Sequence, residues 1–466
     1  MQDIRTFSLS EVCQPLQSFS SVKMKLKTVT LLAFSAWECQ ALWVCPVKSR
    51  LIDSTKLFSS SVSTHRENSA SSAESLVQVH DSKFLLKPDN STNVLFKREG
   101  NVLLRPRRKR VGYPEESNIA FDYKYNELVV APQNSSSDEK TRITLLIQPI
   151  GVGIGRWYYD RLLEQFQSTQ LSGNNIFLVP DLLGCGSGSA WLASSDGEST
   201  LLDQIPLLNV NDWAEQLLDL MSSYEENKIE NSDEVEWCLV SNGGCVPIAL
   251  EIARKYALQQ SGLQRRLKHV ILSATPRVES LLKPKDEGKI HNSYRTLSGV
   301  AGNLFWWYAL RNDGEFIQKF SEKNLASKAE NLGDQWRPKC VETAKAFGGT
   351  SKFSTFAFLA GSLNGGNRER FDALKGVKDV QIDVITGGDK RVNPAKSWFW
   401  DRSKTQNDKD EEIDSGIPEV TSIVPFLKEN GNSGREIVVK GRRCPAHEDA
   451  EGFAKAITEL WQHVED

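Results

Sequence analysis

The sequence predicts an α/β protein whose mostly parallel central sheet is covered by helices on both faces. Three observations predict this class. Short apolar runs alternate with segments of helical spacing, which is typical of parallel strands joined by helices. The run Ile143–Ile147 lacks the polar alternation of a half-exposed strand, as expected for a strand buried on both faces. Residues 278–375 break the alternation with a helical and aromatic stretch, which predicts an inserted cap.

The order of the predicted elements follows from these patterns. Strands are predicted at 93–96, 102–104, 127–130, 143–147, 175–179, 235–240, 269–273, 381–385 and 436–439. Helices are predicted at 157–165, after a cap at Asn211 or Asp212, at 248–258 and at 449–464. The predicted domains are a targeting presequence with a linker over 1–90, a core in two parts over 91–277 and 376–466, and the cap over 278–375. The charged segment Lys404–Asp414 is predicted to be an exposed loop.

Composition bounds the classes of partner. The chain has 466 residues, 39% of them hydrophobic, and a net charge of −3, which gives no electrostatic reason to expect nucleic acid. The basic run Arg105–Arg110 is short and lies next to strand-like sequence, and we interpret it as a solvated edge or a processing-prone loop. The eight cysteines show neither metal-ligand spacing nor a disulfide framework, so we expect no metal and no cofactor. A small molecule or another protein remains the expected partner.

The first ninety residues have the composition of a targeting region. A basic start at Met24 followed by a short apolar run predicts a signal segment over 24–41, and this run is too short to span a bilayer. Residues 42–75 are rich in serine and poor in acid, as in a transit peptide. A two-part presequence of this kind predicts import into a plastid, with translation starting at Met1 or Met24. Secretion and a disordered tail are the alternatives.

Three glycine-containing motifs carry a resemblance to a known family. The stretch Gln148–Trp157 reads QPIGVGIGRW, Pro180–Ser189 reads PDLLGCGSGS, and Cys444–Phe453 reads CPAHEDAEGF. In order and spacing they resemble the α/β-hydrolase superfamily, in the form with a helical cap, over roughly residues 120–464. The first two motifs are also similar to a branch found in cyanobacteria and plastid-bearing eukaryotes. The resemblance implies a nucleophile on a sharp strand-to-helix turn, the elbow, within Leu239–Tyr256.

The elbow contains three candidates for the nucleophile position. Its residue needs small neighbours two positions before and two positions after, because the backbone there is strained. Ser241 has Leu239 before it, and Cys245 has Pro247 after it, so neither fits. Gly243 fits, since Ser241 and Cys245 flank it at these positions. We therefore predict that the family's nucleophile is replaced by a glycine, which has no side chain to attack a substrate.

The other two triad positions also depart from the family pattern. The acid is expected a few residues after Gly387, where Lys390 or Arg391 stands, and Asp389 comes slightly early. The histidine is expected just before Cys444, where the chain has two arginines. His447 follows a few residues later, and we interpret it as a surface or capping histidine. The triad is therefore predicted to be degenerate.

Three functions remain open at this point. The first is a pseudo-hydrolase that binds an apolar or carbonyl-bearing small molecule, or a protein, and keeps the backbone amides of Ile150 and Gly244 as an oxyanion hole. The second is an active serine or cysteine hydrolase in which Ser241 or Cys245 works with Asp389 and His447. The third is a lyase or isomerase on the same fold. The residues to test for that third function are Asp181, Asp389 and Arg156, although Asp181 is expected to hold its own glycine-rich loop.

Overall fold

An eight-stranded sheet forms the centre of the computed structural model. The structure describes residues 93–104, 119–130, 140–169, 171, 173–186, 207–228, 235–258, 266–346, 351–374, 380–389, 423–432 and 434–462. The strands are Val94–Leu104 (β1), Ile119–Val130 (β2), Thr141–Ile147 (β3), Asn174–Pro180 (β4), Val235–Asn242 (β5), Leu267–Ser273 (β6), Gln381–Gly387 (β7) and Glu436–Val439 (β8). Their order is β1-β2-β4-β3-β5-β6-β7-β8. Both pairings of β2 are antiparallel, and the other five pairings are parallel. The predicted α/β class with a mostly parallel sheet is confirmed.

Helices cover both faces of this sheet. Those of the core are Asp160–Ser168 (α1), Val210–Lys228 (α2), Val246–Leu258 (α3), Val424–Glu429 (α12), Pro445–Glu448 (α13) and Ala450–Gln462 (α14). One apolar cluster joins α2, α3 and α12 to one face through strand residues such as Leu239. A second cluster joins α1 and α14 to the other face through Val240. Alternate residues of one buried strand therefore serve opposite faces, as the period of two requires.

A helical cap lies between β6 and β7. Its helices are Val278–Leu282 (α4), Glu287–Ser298 (α5), Val300–Leu310 (α6), Glu315–Asn324 (α7), Ala329–Leu332 (α8), Trp336–Lys345 (α9), Lys352–Leu359 (α10) and Arg368–Leu374 (α11). The run 305–308 divides between two environments, because Trp306 is buried and packs edge-on against Phe356, while Trp307 is 56% exposed. Within the described part of the chain, no helix combines the length and apolarity needed to cross a bilayer.

Two local predictions differ from the structure. Residues 93–96 and 102–104 belong to one strand, β1, because β2 pairs with it along its whole length. Gly100 does not interrupt this strand, since the ring of Tyr123 lies over it. Helix α2 begins at Val210, so the predicted cap at Asn211 or Asp212 is wrong. Asn209 caps the helix instead, and Asp212 reaches back to accept a hydrogen bond from the Asn209 backbone at 2.9 Å.

Several sequence predictions concern segments outside the described residues. They are the presequence, the basic run Arg105–Arg110 and the charged segment Lys404–Asp414. These predictions stay as they were made.

Candidate functional site

The bend between β5 and α3 is occupied by a glycine in the left-handed region. Strand β5 ends at Asn242, and a single 3-10 turn, Gly243–Cys245, leads into α3. Gly243 has φ of +58°, and this backbone conformation is energetically unfavourable for any residue with a Cβ atom. Within the described part of the chain, a Cβ atom placed on Gly243 would meet no atom within 4 Å apart from those of its chain neighbours. The elbow therefore has its bend and open space for a side chain, but no side chain at its apex.

The two other candidates of the elbow lie in the core. Ser241 is fully buried, and its Oγ has no hydrogen-bond partner among the described residues. Cys245 is also fully buried. Burial raises the pKa of the Cys245 thiol well above its ordinary value; Cys185 adds to the rise, and a hydrogen bond from the Ile150 backbone opposes it. A buried thiol of this kind stays protonated and unreactive at neutral pH.

His447 is a buried side chain that connects the core with the cap. It sits on the short helix α13 and is 5% exposed, so the expected surface position is wrong. Its Nε2 lies 3.0 Å from the carbonyl oxygen of Leu332 in the cap, and its Nδ1 lies 3.4 Å from the carbonyl oxygen of Tyr158. The ring stacks on Tyr158 and meets Trp336 edge-on at 4.7 Å. Both ring nitrogens therefore face backbone carbonyls rather than the elbow serine.

The residues around His447 strengthen the same junction. Arg161 donates hydrogen bonds from Nη1 to the carbonyl oxygens of Asn331 and His447, at 2.7 and 3.1 Å. Glu448 accepts from the backbone N–H and the hydroxyl of Ser327, at 2.6 and 2.7 Å. The turn after β8 thus binds the cap at residues 327–332. In this structure that binding is the visible role of the motif that resembles the family's histidine region.

Asp389 binds the loop after β8. Its side chain is exposed, and its Oδ2 accepts a hydrogen bond from the Gly441 backbone N–H at 2.8 Å. The Gly441 carbonyl in turn accepts from the Asp389 N–H at 3.0 Å. A few residues on, the Arg443 carbonyl accepts from Nδ2 of Asn242 at 3.2 Å. The structure thus joins Asp389 to the arginine loop, and it shows no hydrogen bond between Asp389 and His447.

Asp181 connects two glycine-rich loops. Its carboxylate accepts from the Arg156 backbone N–H at 2.7 Å and also binds the Arg156 guanidinium, which itself donates to Asn126 at 3.0 Å. Gly155 and Gly186 both lie so close to the carboxylate that a Cβ atom on either would collide with it. The side chain is 1% exposed. Its geometry is that of a buried loop anchor, as the sequence analysis expected.

The cap sits directly on the glycines of the family motifs. A Cβ atom on Gly153 would lie 1.9 Å from the carbonyl oxygen of Cys340 in α9. One on Gly244 would lie 2.5 Å from the ring of Phe358 in α10. The Thr355 hydroxyl donates to the Gly151 carbonyl at 3.1 Å. Lack of side chains at these glycines allows the cap helices to approach the carboxyl edge of the sheet.

The structure contains two clusters of buried polar side chains that were not predicted from the sequence. Gln148, Asn242 and Ser273 end three adjacent strands beside the elbow. His269 and Asp383 form a pair inside the sheet, with Nε2 and Oδ2 2.6 Å apart. A polar residue in an otherwise apolar strand was the available signal for each, since such residues need a partner when buried.

His447 predicts an acid-sensitive junction. Burial lowers the pKa of His447 from its ordinary 6.5 to about 4; nearby Arg161 and Lys339 also lower it, and the two carbonyl contacts oppose the fall. Between pH 6.5 and pH 4 the unfolded chain therefore binds a proton at His447 that the folded chain does not bind. The contribution of His447 to stability is complete above pH 6.5 and is lost as the pH falls towards 4, by about 2–3 kcal/mol between pH 7.5 and 4.5.

The measurement is urea unfolding of the wild type and of His447→Gln across this range. Glutamine can still donate to the Leu332 carbonyl, but it does not titrate. The difference in unfolding free energy between the two proteins should shrink as the pH falls, because only the wild type loses this contribution. Parallel pH profiles would contradict the assignment.

The comparisons with known proteins find solved structures that cover most of this chain at low sequence identity. No protein-family model and no curated protein sequence matches the chain. A peroxisomal α/β-hydrolase from Saccharomyces cerevisiae is 13% identical over 80% of this chain and 90% of its own, with a TM-score of 0.49. A malate-bound esterase from Thermogutta terrifontis is 13% identical over 78% and 99%, with a TM-score of 0.44. A haloalkane dehalogenase variant from Bradyrhizobium elkanii is 10% identical over 79% and 97%, with a TM-score of 0.42.

The topology of the sheet identifies the fold. Eight strands run in the order β1-β2-β4-β3-β5-β6-β7-β8, and β2 alone among them is antiparallel to its neighbours on both sides. The sharp turn at Gly243 follows β5, the fifth strand along the chain and a central one in the sheet. The chain therefore has the fold of the α/β-hydrolase superfamily, with a helical cap inserted between β6 and β7.

Proposed function

We propose that this protein is a pseudo-hydrolase, which binds its partner at the elbow and does not hydrolyse it through a triad. The observation that carries the proposal is Gly243, at φ of +58° between β5 and α3. A triad needs a nucleophilic atom at this apex, within hydrogen-bond reach of a base. Glycine supplies none, although the space for a side chain is open.

The remaining triad roles support the same proposal. His447 directs its ring nitrogens to the carbonyls of Leu332 and Tyr158, and Asp389 binds the Gly441 backbone. Arg443 stands where the resemblance expects the histidine, directly before Cys444. A base and its orienting acid are thus engaged elsewhere, in contacts that stabilise loops and cap.

The elbow offers binding chemistry that does not depend on a nucleophile. Backbone amides at the start of a helix attract carbonyl oxygens and anions, and Gly244 lies in the first turn leading into α3. The Phe358 ring, packed against Gly244, gives this place an apolar wall. An apolar surface with a few polar groups is the usual form of a small-molecule site. The proposed ligand is accordingly a small apolar or carbonyl-bearing molecule, with a protein segment as the other possibility.

Hydrolysis of short-chain nitrophenyl esters tests the proposal. The wild type and Gly243→Ala should hydrolyse these esters at equal rates, no faster than an unrelated protein of similar size. Gly243→Ala is a matched control because, among the described residues beyond its chain neighbours, the added methyl group meets no atom within 4 Å. A wild type well above Gly243→Ala would overturn the proposal.

Covalent labelling tests the hydrolase alternative separately. Ser241 and Cys245 are fully buried, so in the folded protein we expect no labelling of Ser241 by a fluorophosphonate probe and no alkylation of Cys245 by iodoacetamide. Fluorophosphonate labelling that disappears in Ser241→Ala would instead establish an active serine, as would alkylation that disappears in Cys245→Ala for the thiol.

A further inference from the structure

Three uncharged polar side chains form a row beneath the elbow. Asn242 and Ser273 are register partners on β5 and β6. Ile147 of β3 pairs with Ser241, and Gln148 and Asn242 follow this pair directly. Gln148, Asn242 and Ser273, here called the polar row, therefore lie side by side at the carboxyl ends of three adjacent strands.

The polar row faces one side of the sheet. Each member follows a strand residue of the second apolar cluster by two positions: Leu146, Val240 and Ile271. Because side chains alternate along a strand, the three row members point to the side of α1 and α14. Ser241, one residue earlier, points to the other side and makes a natural control.

Four atoms of the polar row lack partners. They are Oε1 and Nε2 of Gln148, Oδ1 of Asn242 and Oγ of Ser273, none of which has a hydrogen-bond partner among the described residues. The three residues are between 0 and 2% exposed. An unsatisfied buried polar atom destabilises a fold, and an apolar residue of similar shape would avoid that cost. Four such atoms in one place indicate a guest that supplies the missing hydrogen bonds.

The chemistry of the row defines the guest. Glutamine and serine both donate and accept, and Oδ1 of Asn242 accepts. All three side chains are neutral, so a buried charged group would find no opposite charge among them. One side-chain atom of the row, Nδ2 of Asn242, donates a hydrogen bond to the Arg443 carbonyl. The four unpartnered side-chain atoms are therefore available to a guest.

We propose that the polar row is a binding site for a small uncharged group that both donates and accepts hydrogen bonds. An amide or hydroxyl group of a ligand at the elbow has this chemistry, and so does a buried water molecule. Asn242 of the row directly precedes Gly243, so a bound group that belongs to a ligand at the elbow would deepen the function proposed above, and that case rests on it. If the bound group is a buried water molecule, the site does not depend on the proposed function.

The ligand source is tested by thermal unfolding of the full chain with butanamide or butanoate. Butanamide at about ten times its dissociation constant should raise the unfolding midpoint by about 1–2 °C, while butanoate should not. The shift should vanish in Gln148→Met/Ser273→Ala and persist in Ser241→Ala, which removes an equally buried hydroxyl on the other side of β5. Ser273→Ala alone serves if the double variant fails to fold.

The water source is tested by oxygen-17 relaxation dispersion, which detects long-lived buried water. The same variants should lose such a water signal, and Ser241→Ala should keep it. Loss of either the butanamide shift or the water signal in the row variants supports the proposal and identifies the source. The proposal is overturned if the row variants lose neither a butanamide-specific shift nor a water signal that the wild type shows, and an equal shift with butanoate counts as no specific shift. None of these outcomes depends on ester hydrolysis, so the two proposals can fail separately.

Discussion

Replacing Gly153 by alanine is expected to lower the free energy of unfolding by about 2–4 kcal/mol, whereas Gly243→Ala should lower it by about 1 kcal/mol. Both glycines lie in the left-handed region, with φ of +71° and +58°, so alanine suffers similar backbone strain at each. Only at Gly153 does the new methyl group meet the cap, 1.9 Å from the Cys340 carbonyl oxygen. Overpacking of this kind adds about 1–3 kcal/mol.

Urea unfolding followed by tryptophan fluorescence measures this difference. The pair is matched in residue type, substitution and backbone conformation, which leaves contact with the cap as the variable. Equal losses in the two variants would mean that the cap does not rest on the loop after β3 as the structure has it.

The sheet and the position of the elbow could be predicted from the sequence for a physical reason. A strand buried on both faces carries an apolar run, such as Leu145–Ile147 in β3 and Val270–Leu272 in β6, and that property is local. The bend at Gly243 follows from small residues at fixed offsets, which is also local. β1 shows the limit, because its continuity across Gly100 depends on Tyr123 of the neighbouring strand.

The roles of the motif residues could not be predicted in this way. The Thr355–Gly151 hydrogen bond joins residues 204 positions apart, and that between His447 and Leu332 joins residues 115 apart. His447 next to two acids reads equally well as a surface, capping or catalytic residue until Leu332 and Trp336 are placed beside it. The glycines carry the same ambiguity, because a glycine required for approach of the cap looks identical to one required for a ligand.

The chain also contains a buried imidazole–carboxylate pair that lies away from the elbow. His269 and Asp383 resemble the base and acid of a triad, with Nε2 and Oδ2 2.6 Å apart. Each is the third residue of its strand, β6 or β7, and so lies near the amino end. The elbow follows the carboxyl end of β5, at the other edge of the sheet. We therefore assign the pair to stability rather than to the site.

Removing the Asp383 carboxylate is expected to lower the free energy of unfolding by about 3–5 kcal/mol, because it removes the acceptor of a fully buried imidazole–carboxylate pair. Its Oδ2 accepts from Nε2 of Gln381 at 2.8 Å, and its Oδ1 accepts from the Arg435 backbone at 2.6 Å. Since a carboxylate only accepts, His269 must donate from Nε2. Asp383→Ala would leave these donors without their acceptor, and the imidazole is 2% exposed.

Asp160→Ala is the matched control for this substitution. Asp160 pairs with Lys339 at 2.6 Å, but both side chains are 34% exposed, so its loss should cost about 1 kcal/mol or less. Urea unfolding of the two variants gives the comparison, and a loss at Asp383 no larger than that at Asp160 would contradict the stability role. The polar row gives the contrasting case within the same sheet. Asp383 has a chain partner for each of its oxygens, whereas four atoms of the row have none among the described residues, and it is for this clustered pattern that we propose a guest.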